Sequence, residues 1–183
     1  SRFLNEPAEE DLNLAYPLPE PVVLGKVGEG ETPNVVLIIL ESVRASSTPP
    51  YNPSLKTTPY LDSMAKTGWR VEEAYTTVPH TTKSLVPILC GVPPDIRRPL
   101  TETSPGAIPV PCLAQLLEPL GYRSAFFQPA TEQFEQRPIT VANAGFETFV
   151  SREDLNRRKW QSPNYLGVED RALLEPILEW TKK

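Results

Sequence analysis

The hydrophobic positions of the chain fall into short runs rather than into one long repeat. Residues 35–40, Val-Val-Leu-Ile-Ile-Leu, form a continuous run in which apolar and polar positions do not alternate. This pattern is typical of a strand buried on both faces in a mainly parallel sheet. The run is as long as a strand, and no apolar run in the sequence approaches the roughly 18 residues that a membrane-spanning helix needs.

Helix and strand signals alternate through the rest of the chain. Thr58, as N-cap, and Pro59, at the first helical position, predict a helix that has one apolar face and ends at Gly68. The pattern further predicts strands at 69–78 and 122–128 and a short strand or turn at 145–150. It predicts helices at 84–90, 112–120, 131–144 (interrupted at Pro138) and 168–183, and a proline-rich loop at 93–111. This alternation predicts an α/β layered fold.

Residues 1–33 differ in composition from the rest. They carry Pro7, Pro17, Pro19 and Pro21 and an acidic stretch at 9–11. Such a segment has little to bury and is typical of a linker or of an arm laid over a neighbour. We therefore expect a leader at 1–33 and a folded domain at 34–183, and we expect the chain to be a piece of a longer protein.

Composition excludes several classes of protein. The 183 residues include 18 Lys plus Arg and 23 Asp plus Glu, a net charge of −5, whereas a nucleic-acid-binding domain normally shows a basic face. The 22 prolines imply short elements and exclude a helical bundle or a coiled coil. His80 is the single histidine, so this chain alone cannot build a metal site from several histidines.

Glu41 follows directly after the apolar run 35–40. In open α/β sheets, ligands bind just beyond the carboxyl ends of the strands, and a carboxylate held there suits a hard metal ion. The alternative is an exposed loop acid. Arg44, three residues later, could pair with Glu41 or bind an anion.

The segment Pro-His-Thr-Thr-Lys-Ser at 79–84 opens a predicted helix. Hydroxyls at a helix N-terminus lie beside unpaired N–H groups and the positive end of the helix dipole, which favours binding of phosphate or sulfate. Thr81, Thr82 and Lys83 are therefore candidates for such a site. The alternatives are an ordinary threonine cap, a solvated lysine and a structural His80.

The order and spacing of several motifs over roughly residues 33–150 resemble the sulfatase family of the alkaline-phosphatase-like superfamily. The motifs are Glu-Ser-Val-Arg (41–44), Thr-Pro-Tyr-Leu-Asp-Ser-Met-Ala-Lys-Thr-Gly (58–68), Ala-Tyr (74–75), Thr-Thr-Lys-Ser (81–84), Leu-Cys-Gly-Val-Pro (89–93) and Leu-Leu-Glu-Pro-Leu-Gly-Tyr-Arg-Ser-Ala (116–125). The resemblance implies a three-layer sandwich around a mainly parallel sheet, incomplete on its C-terminal side.

The resemblance also implies roles for individual residues. Glu41 falls on the first metal-ligand acid of the family, and Thr81 falls where sulfatases carry the Cys or Ser that becomes formylglycine. Thr82 takes that role if the chain aligns with the lipoteichoic-acid-synthase and phosphoethanolamine-transferase branches. Lys83 and Arg44 fall near cationic positions of the site, and Thr81 is also a candidate metal ligand.

The sequence departs from classical sulfatases in lacking Cys-x-Pro-Ser-Arg, so formylglycine cannot form. A glutamate as the first acid, with a threonine nucleophile, resembles the phosphoglycerol or phosphoethanolamine transferases. That branch implies a divalent metal (Zn, Mn, Mg or Ca) that activates the threonine hydroxyl, and a phosphothreonine intermediate formed from a phospholipid head group or phosphodiester. The alternatives are a sulfuric- or phosphoric-ester hydrolase of the same fold and a non-catalytic fragment that binds an anion.

Members of the family complete their metal site with an Asp-His pair and a further His, for which this chain has no counterpart. We therefore expect these 183 residues alone to be inactive and to bind metal weakly, the remainder of the catalytic domain being their partner. The resemblance implies a location outside the cytoplasmic membrane, tethered to it. In that compartment Cys90 and Cys112 either pair or remain two buried thiols.

Overall fold

The computed structural model describes residues 33–97, 101–104, 106–155 and 159–182. The predicted leader, apart from Pro33, lies outside these residues. From Asn34 onward the described residues belong to one unit of the chain. No helix within them has the length and apolarity needed to cross a membrane.

Short elements connected by long irregular segments make up this unit. The α-helices are α1 (Pro59–Thr67), α2 (Thr81–Cys90), α3 (Leu113–Leu117), α4 (Arg137–Asn143) and α5 (Leu174–Trp180), and the strands are β1 (Ala125–Phe127) and β2 (Thr148–Val150). Single turns of 3₁₀-helix occupy Ala45–Ser47, Thr101–Thr103, Glu118–Leu120, Phe134–Gln136, Arg152–Asp154 and Asp170–Leu173.

Strands β1 and β2 pair in parallel, with Phe126 opposite Phe149 in the register. The chain between them forms α4, and a parallel pair needs such a crossover because a tight turn cannot join strands that run in the same direction. The strand predicted at 122–128 and the short strand or turn predicted at 145–150 are thus present as β1 and β2. This arrangement is compatible with the predicted α/β fold, whereas the three-layer sandwich stays a prediction.

Helix α2 begins three residues earlier than the sequence pattern predicts. His80 is extended (φ −150°, ψ 121°) and serves as the N-cap, and its carbonyl accepts the Ser84 N–H at 2.8 Å. Gly91 ends the helix at φ 70°, a left-handed conformation that glycine adopts without a steric penalty. The sequence therefore predicted the end of this helix better than its beginning.

The main hydrophobic core lies between α2, α3 and the residues that follow α4. Leu85, Leu89, Cys112 and Ala144 are buried together. The side chains packed against this cluster are those of Cys90, Ile108, Phe126 and Phe146. Cys90 and Cys112 form a disulfide, so the pairing left open by the sequence is present and connects the end of α2 to the beginning of α3.

A second, smaller core is formed by residues of the C-terminal part of the chain. Leu155, Val168 and Ala172 are buried, and Val150, Trp160 and Leu173 pack against them. The helix predicted at 168–183 is present as a 3₁₀ turn followed by α5. Leu174, the first residue of α5, is exposed.

The strand predicted at 35–40 is wrong as a description of this structure. These residues form no strand, and their side chains are between 39% and 73% exposed. A strand buried on both faces needs neighbouring strands along its edges and helices over its faces. In the described ranges β1 and β2 pair only with each other, so the apolar run has no neighbouring strand.

Three further predictions differ from the structure. The strand predicted at 69–78 is absent, and Trp69 and Tyr75 are exposed. Helix α1 begins at Pro59 as predicted, but its apolar face, including Tyr60 and Met64, is exposed. The helix predicted at 131–144 is present only as α4, which begins at Arg137. Pro138 does not interrupt it, because Pro138 lies in the first turn, where a missing N–H has no intrahelical cost.

The Cys90–Cys112 disulfide is expected to contribute substantially to stability. It joins residues 22 positions apart, and closing a loop of that size restricts the unfolded chain by about 3 kcal/mol. The variant Cys90→Ala/Cys112→Ala should lose about that free energy of unfolding, measured by denaturant titration. Adding a reductant should destabilise the parent chain equally and leave the variant unchanged; equal stability of parent and variant would contradict the prediction.

Glu153 connects the segment after β1 to the turn after β2. Its carboxylate accepts the Glu132 N–H at 2.9 Å, the Thr131 hydroxyl at 3.0 Å and an Arg152 N–H at 3.0 Å. Burial acts to raise the pKa of Glu153, but the hydrogen bonds from Glu132, Arg152 and Thr131 outweigh it and lower this pKa from 4.5 to about 2. The folded state therefore favours the ionised carboxylate.

The lowered pKa of Glu153 predicts a specific pH dependence of stability. Because the folded-state pKa of about 2 lies below the ordinary 4.5, the contribution is complete above the ordinary value and is lost as the pH falls through the interval toward 2. Glu153→Gln should therefore be less stable at neutral pH and should lose less stability on acidification. Chemical denaturation at a series of pH values checks this, and parallel stability curves for parent and variant would contradict it.

Candidate active site

The N-terminal turn of α2 presents two adjacent threonines in different environments. Thr81, the first helical residue, is half-buried, whereas Thr82 is fully buried. The Ser84 hydroxyl donates to the Val78 carbonyl at 2.7 Å and so connects α2 to the residues that precede it. Of the two candidate residues, only Thr81 is therefore partly exposed to solvent.

A glutamate from a distant part of the sequence contacts this turn. Glu135 Oε2 accepts both the Thr82 N–H at 3.0 Å and the Thr82 hydroxyl at 2.5 Å. Glu135 Oε1 lies 3.4 Å from His80 Nε2. The residues immediately before and after Thr81 are thus both held by one carboxylate, which occupies the positive end of the α2 dipole.

The backbone that carries Glu135 is strained. Glu135 (φ 52°) and Gln136 (φ 50°) are consecutive left-handed residues, and this conformation costs about 1–2 kcal/mol for each residue with a side chain. Such conformations persist where the surrounding contacts enforce them, and they concentrate at functional sites. The strained pair directs the carboxylate toward α2.

Arg137 lies behind this carboxylate. It is 3% exposed, and its Nη2 is 3.6 Å from Glu135 Oε2, while its guanidinium lies over the Phe134 ring. Burial lowers the pKa of Arg137, and the charges of Glu135 and Glu41 act in the opposite direction.

The two candidates nearest the apolar run are exposed. Glu41 Oε1 accepts the Ser42 hydroxyl at 3.2 Å, and Ser42 has φ 58°. Arg44 precedes the turn Ala45–Ser47 as its N-cap, and it forms no ion pair with any other residue that the structure describes. Among the described residues, no hydrogen bond or ion pair connects Glu41 or Arg44 to the threonines of α2.

Lys83 points away from the threonines and into the protein. Its ammonium lies 3.1 Å from Glu102 Oε1, and the two side chains are only 6% and 3% exposed. The same ammonium donates to the Asp95 carbonyl, and Asn143 donates to the Glu102 carbonyl at 2.8 Å. In this structure the charge of Lys83 is therefore balanced within the fold.

The chemistry of the candidate metal donors can be compared with what a divalent ion needs. The Glu41 carboxylate and the Thr81 hydroxyl are hard oxygen donors of a suitable kind. Within the described ranges, however, no group of three or more His, Cys, Asp or Glu side chains is arranged to hold an ion. The residues present do not complete a metal site by themselves.

Sequence reasoning missed the partners of the threonines. Glu135 and Arg137 lie far from Thr82 in sequence, and no hydrophobic pattern in the sequence indicates that they pack near α2. The one local signal is Pro138, because proline is favoured in the first turn of a helix. A polar residue just before a helix can contact a neighbouring element. Glu102, the partner of Lys83, lies in the proline-rich loop and carried no signal.

Comparison with known proteins gives one family match. A family model described as Sulfatase matches residues 33–183, which is more than four-fifths of the chain. No solved structure matches the chain.

The buried ion pair predicts the effect of removing Lys83. Lys83→Met should lower the free energy of unfolding by about 3–5 kcal/mol, because it leaves the Glu102 carboxylate buried without a cation. Lys83→Met/Glu102→Leu should recover most of this loss. The exposed pair between Lys66 and Asp62 provides a matched control: Lys66 is 71% exposed, so Lys66→Met should change stability by no more than about 1 kcal/mol.

Denaturant titration of the four proteins measures these differences. If the two Lys→Met substitutions lowered the free energy of unfolding equally, burial of the Lys83–Glu102 pair would have no effect on its contribution to stability. A double variant as unstable as Lys83→Met alone would also contradict the assignment, because no unpaired carboxylate would then explain the loss.

Proposed function

The chain belongs to the sulfatase family, and on that premise we propose that it carries the nucleophile segment of a phosphoryl-transfer site, with Thr81 as the nucleophile. The family match itself supports a sulfatase-like fragment of a hydrolase or transferase acting on an ester. The threonine nucleophile, the phosphate-containing substrate and the participation of Glu41 are the proposed parts.

One observation carries this proposal: the adjacent threonines of α2 are not equivalent. The Thr82 hydroxyl is buried and donates to Glu135, whereas Thr81 is half-buried at the first position of a ten-residue helix. A nucleophile has to reach the substrate, and this condition favours the half-buried Thr81 over the buried Thr82.

The proposed reaction is an in-line displacement at phosphorus. The Thr81 hydroxyl oxygen forms a bond to phosphorus, the bond from phosphorus to the leaving alcohol breaks, and the hydroxyl proton ends on that alcohol. A second alcohol, or water, then displaces Thr81 in the same way and regenerates its hydroxyl. Because Glu135 accepts the Thr82 N–H and lies at the positive end of the α2 dipole, the charge on the phosphoryl oxygens needs another positive group, for which Arg44 is the candidate.

A divalent cation is the usual cofactor of this family, and we propose Zn, Mn, Mg or Ca here. Among the described residues Glu41 and Thr81 supply suitable oxygens but do not complete a site, so no reaction step is assigned to a metal. Two cationic candidates of the sequence take different parts in the proposal. Lys83 supports the fold through Glu102, and Arg44 remains a candidate for binding the substrate anion.

The substrate class follows from the nucleophile. A threonine ester of phosphate can pass its group to an acceptor alcohol, so we propose a phospholipid head group or another phosphodiester as the donor. We also propose that the protein works outside the cytoplasmic membrane and is tethered to it. The Cys90–Cys112 disulfide supports that location, because disulfides persist mainly in oxidising compartments.

Trapping the intermediate tests the proposal directly. The intact protein is incubated with divalent metal and either vesicles of phosphatidylethanolamine and phosphatidylglycerol or bis(p-nitrophenyl) phosphate. Tandem mass spectrometry of the peptide that contains residues 81–84 should then localise the added phosphoryl group to Thr81. Thr81→Val should abolish the modification, because valine keeps the shape of threonine but lacks the attacking oxygen.

Thr82→Val is the matched control, since it makes the same chemical change one residue away. It should still acquire the group on Thr81, although more slowly. A modification on Thr82 would overturn the choice of nucleophile. Turnover of p-nitrophenyl sulfate with an unmodified Thr81 would favour an ester hydrolase of the same fold, and full activity of Thr81→Val would favour a non-catalytic role for this segment.

A further inference from the structure

We propose that Glu135 is a positioning residue for the reaction, one that fixes the first turn of α2 so that the Thr81 hydroxyl faces the substrate. The inference rests on the proposed function, in which Thr81 is the nucleophile. Glu135 does not act on the reacting atoms. It acts through His80 and Thr82, the residues on either side of Thr81.

The division of contacts between the two carboxylate oxygens carries this inference. Oε1 lies 3.4 Å from His80 Nε2, and Oε2 accepts the N–H and the hydroxyl of Thr82 at 3.0 Å and 2.5 Å. The first N–H groups of a helix have no partners inside the helix, so an unsupported first turn frays. The two hydrogen bonds to Thr82, with the His80 ring in contact with the same carboxylate, restrict that freedom.

A fixed backbone at this position also fixes the nucleophile. The direction of a Cα–Cβ bond is determined by the backbone of its own residue, and a β-branched side chain has few χ1 rotamers. With His80 and Thr82 both held, the Thr81 oxygen has a narrow set of positions. Displacing a reacting group by about 1 Å can reduce the rate about 10²-fold.

The carboxylate is itself held in place. The side chain of Arg137, which is 3% exposed, lies 3.6 Å from Oε2. The left-handed conformations of Glu135 (φ 52°) and Gln136 (φ 50°) are unfavourable for residues with side chains and persist where surrounding contacts enforce them. Glycine adopts this conformation freely, which provides a way to remove the carboxylate without adding strain.

A pair of glycine substitutions separates the carboxylate from the loop that carries it. Glu135→Gly removes the carboxylate and relieves the strained backbone, so loss of activity cannot be attributed to a less favourable loop. Gln136→Gly is the matched control: it relieves the neighbouring left-handed residue, and its side chain is exposed. Glu135→Gly should lower the thermal stability, because the buried Arg137 guanidinium and the buried Thr82 hydroxyl lose their carboxylate partner, whereas Gln136→Gly should change it little. Rates are therefore compared at a temperature at which circular dichroism shows both variants to be folded.

The first measurement is the rate of phosphothreonine formation at Thr81 in the intact protein, with bis(p-nitrophenyl) phosphate as the probe. Glu135→Gly should lower the rate constant at saturating substrate about 10²-fold and leave KM unchanged, because substrate contacts are retained. Gln136→Gly should react at the parent rate. The second measurement is amide hydrogen exchange at residues 81–84, which should be faster in Glu135→Gly alone.

Each outcome decides the matter. Parent-like rate and exchange in Glu135→Gly would overturn the inference, and so would an equal rate loss in both glycine variants, since the loop rather than the carboxylate would then be responsible. If the parent itself forms no phosphothreonine, the proposed function fails. In that case the exchange measurement still decides whether Glu135 fixes the first turn of α2.

Discussion

The geometry of the candidate site depends on one carboxylate, that of Glu135, and on the residues that it holds at the start of α2. This contact joins residues 53 positions apart in the sequence. It satisfies an amide that a helix N-terminus leaves without an intrahelical partner, and it places a negative charge where the helix dipole is positive. The same contact buries the Thr82 hydroxyl, so it also determines that Thr81 is the threonine left accessible.

The remainder of α2 is fixed by two other contacts of different kinds. Lys83, the third residue of α2, forms a buried ion pair with Glu102, and the Asn143 side chain of α4 donates to the Glu102 carbonyl. At the far end the disulfide joins Cys90 to Cys112. A helix of ten residues that contains a proline would be marginal alone, so these tertiary contacts give the N-terminal turn a rigid base.

Local signals in the sequence predicted the local features of the fold. Pro59 begins a helix, and Gly91 and Gly121 end helical segments in the left-handed conformation, because these residue types have a strong backbone preference of their own. The apolar run 35–40 carries an equally strong strand pattern, yet it forms no strand. The pattern describes a segment that needs neighbours along both edges, and the described residues do not supply them.

The site was predictable only in part, for a related physical reason. The sequence indicated the helix N-terminus and its two threonines, since N-terminal chemistry is local. Which threonine is accessible depends on Glu135, and where the charge of Lys83 goes depends on Glu102; both are tertiary contacts from segments without periodic patterns. Even the motif resemblance could not distinguish Thr81 from Thr82, because adjacent positions on a helix differ by what packs on them.

The charges around Thr81 bear on what else the proposed reaction requires. Glu135 lies beside one buried cation, Arg137, while Lys83 is already balanced by Glu102. An incoming phosphate or sulfate ester adds further negative charge to this region, and the half-charge of a helix N-terminus cannot offset it. The proposed binding of a substrate anion would therefore need positive charge from another group, and Arg44 is the proposed candidate.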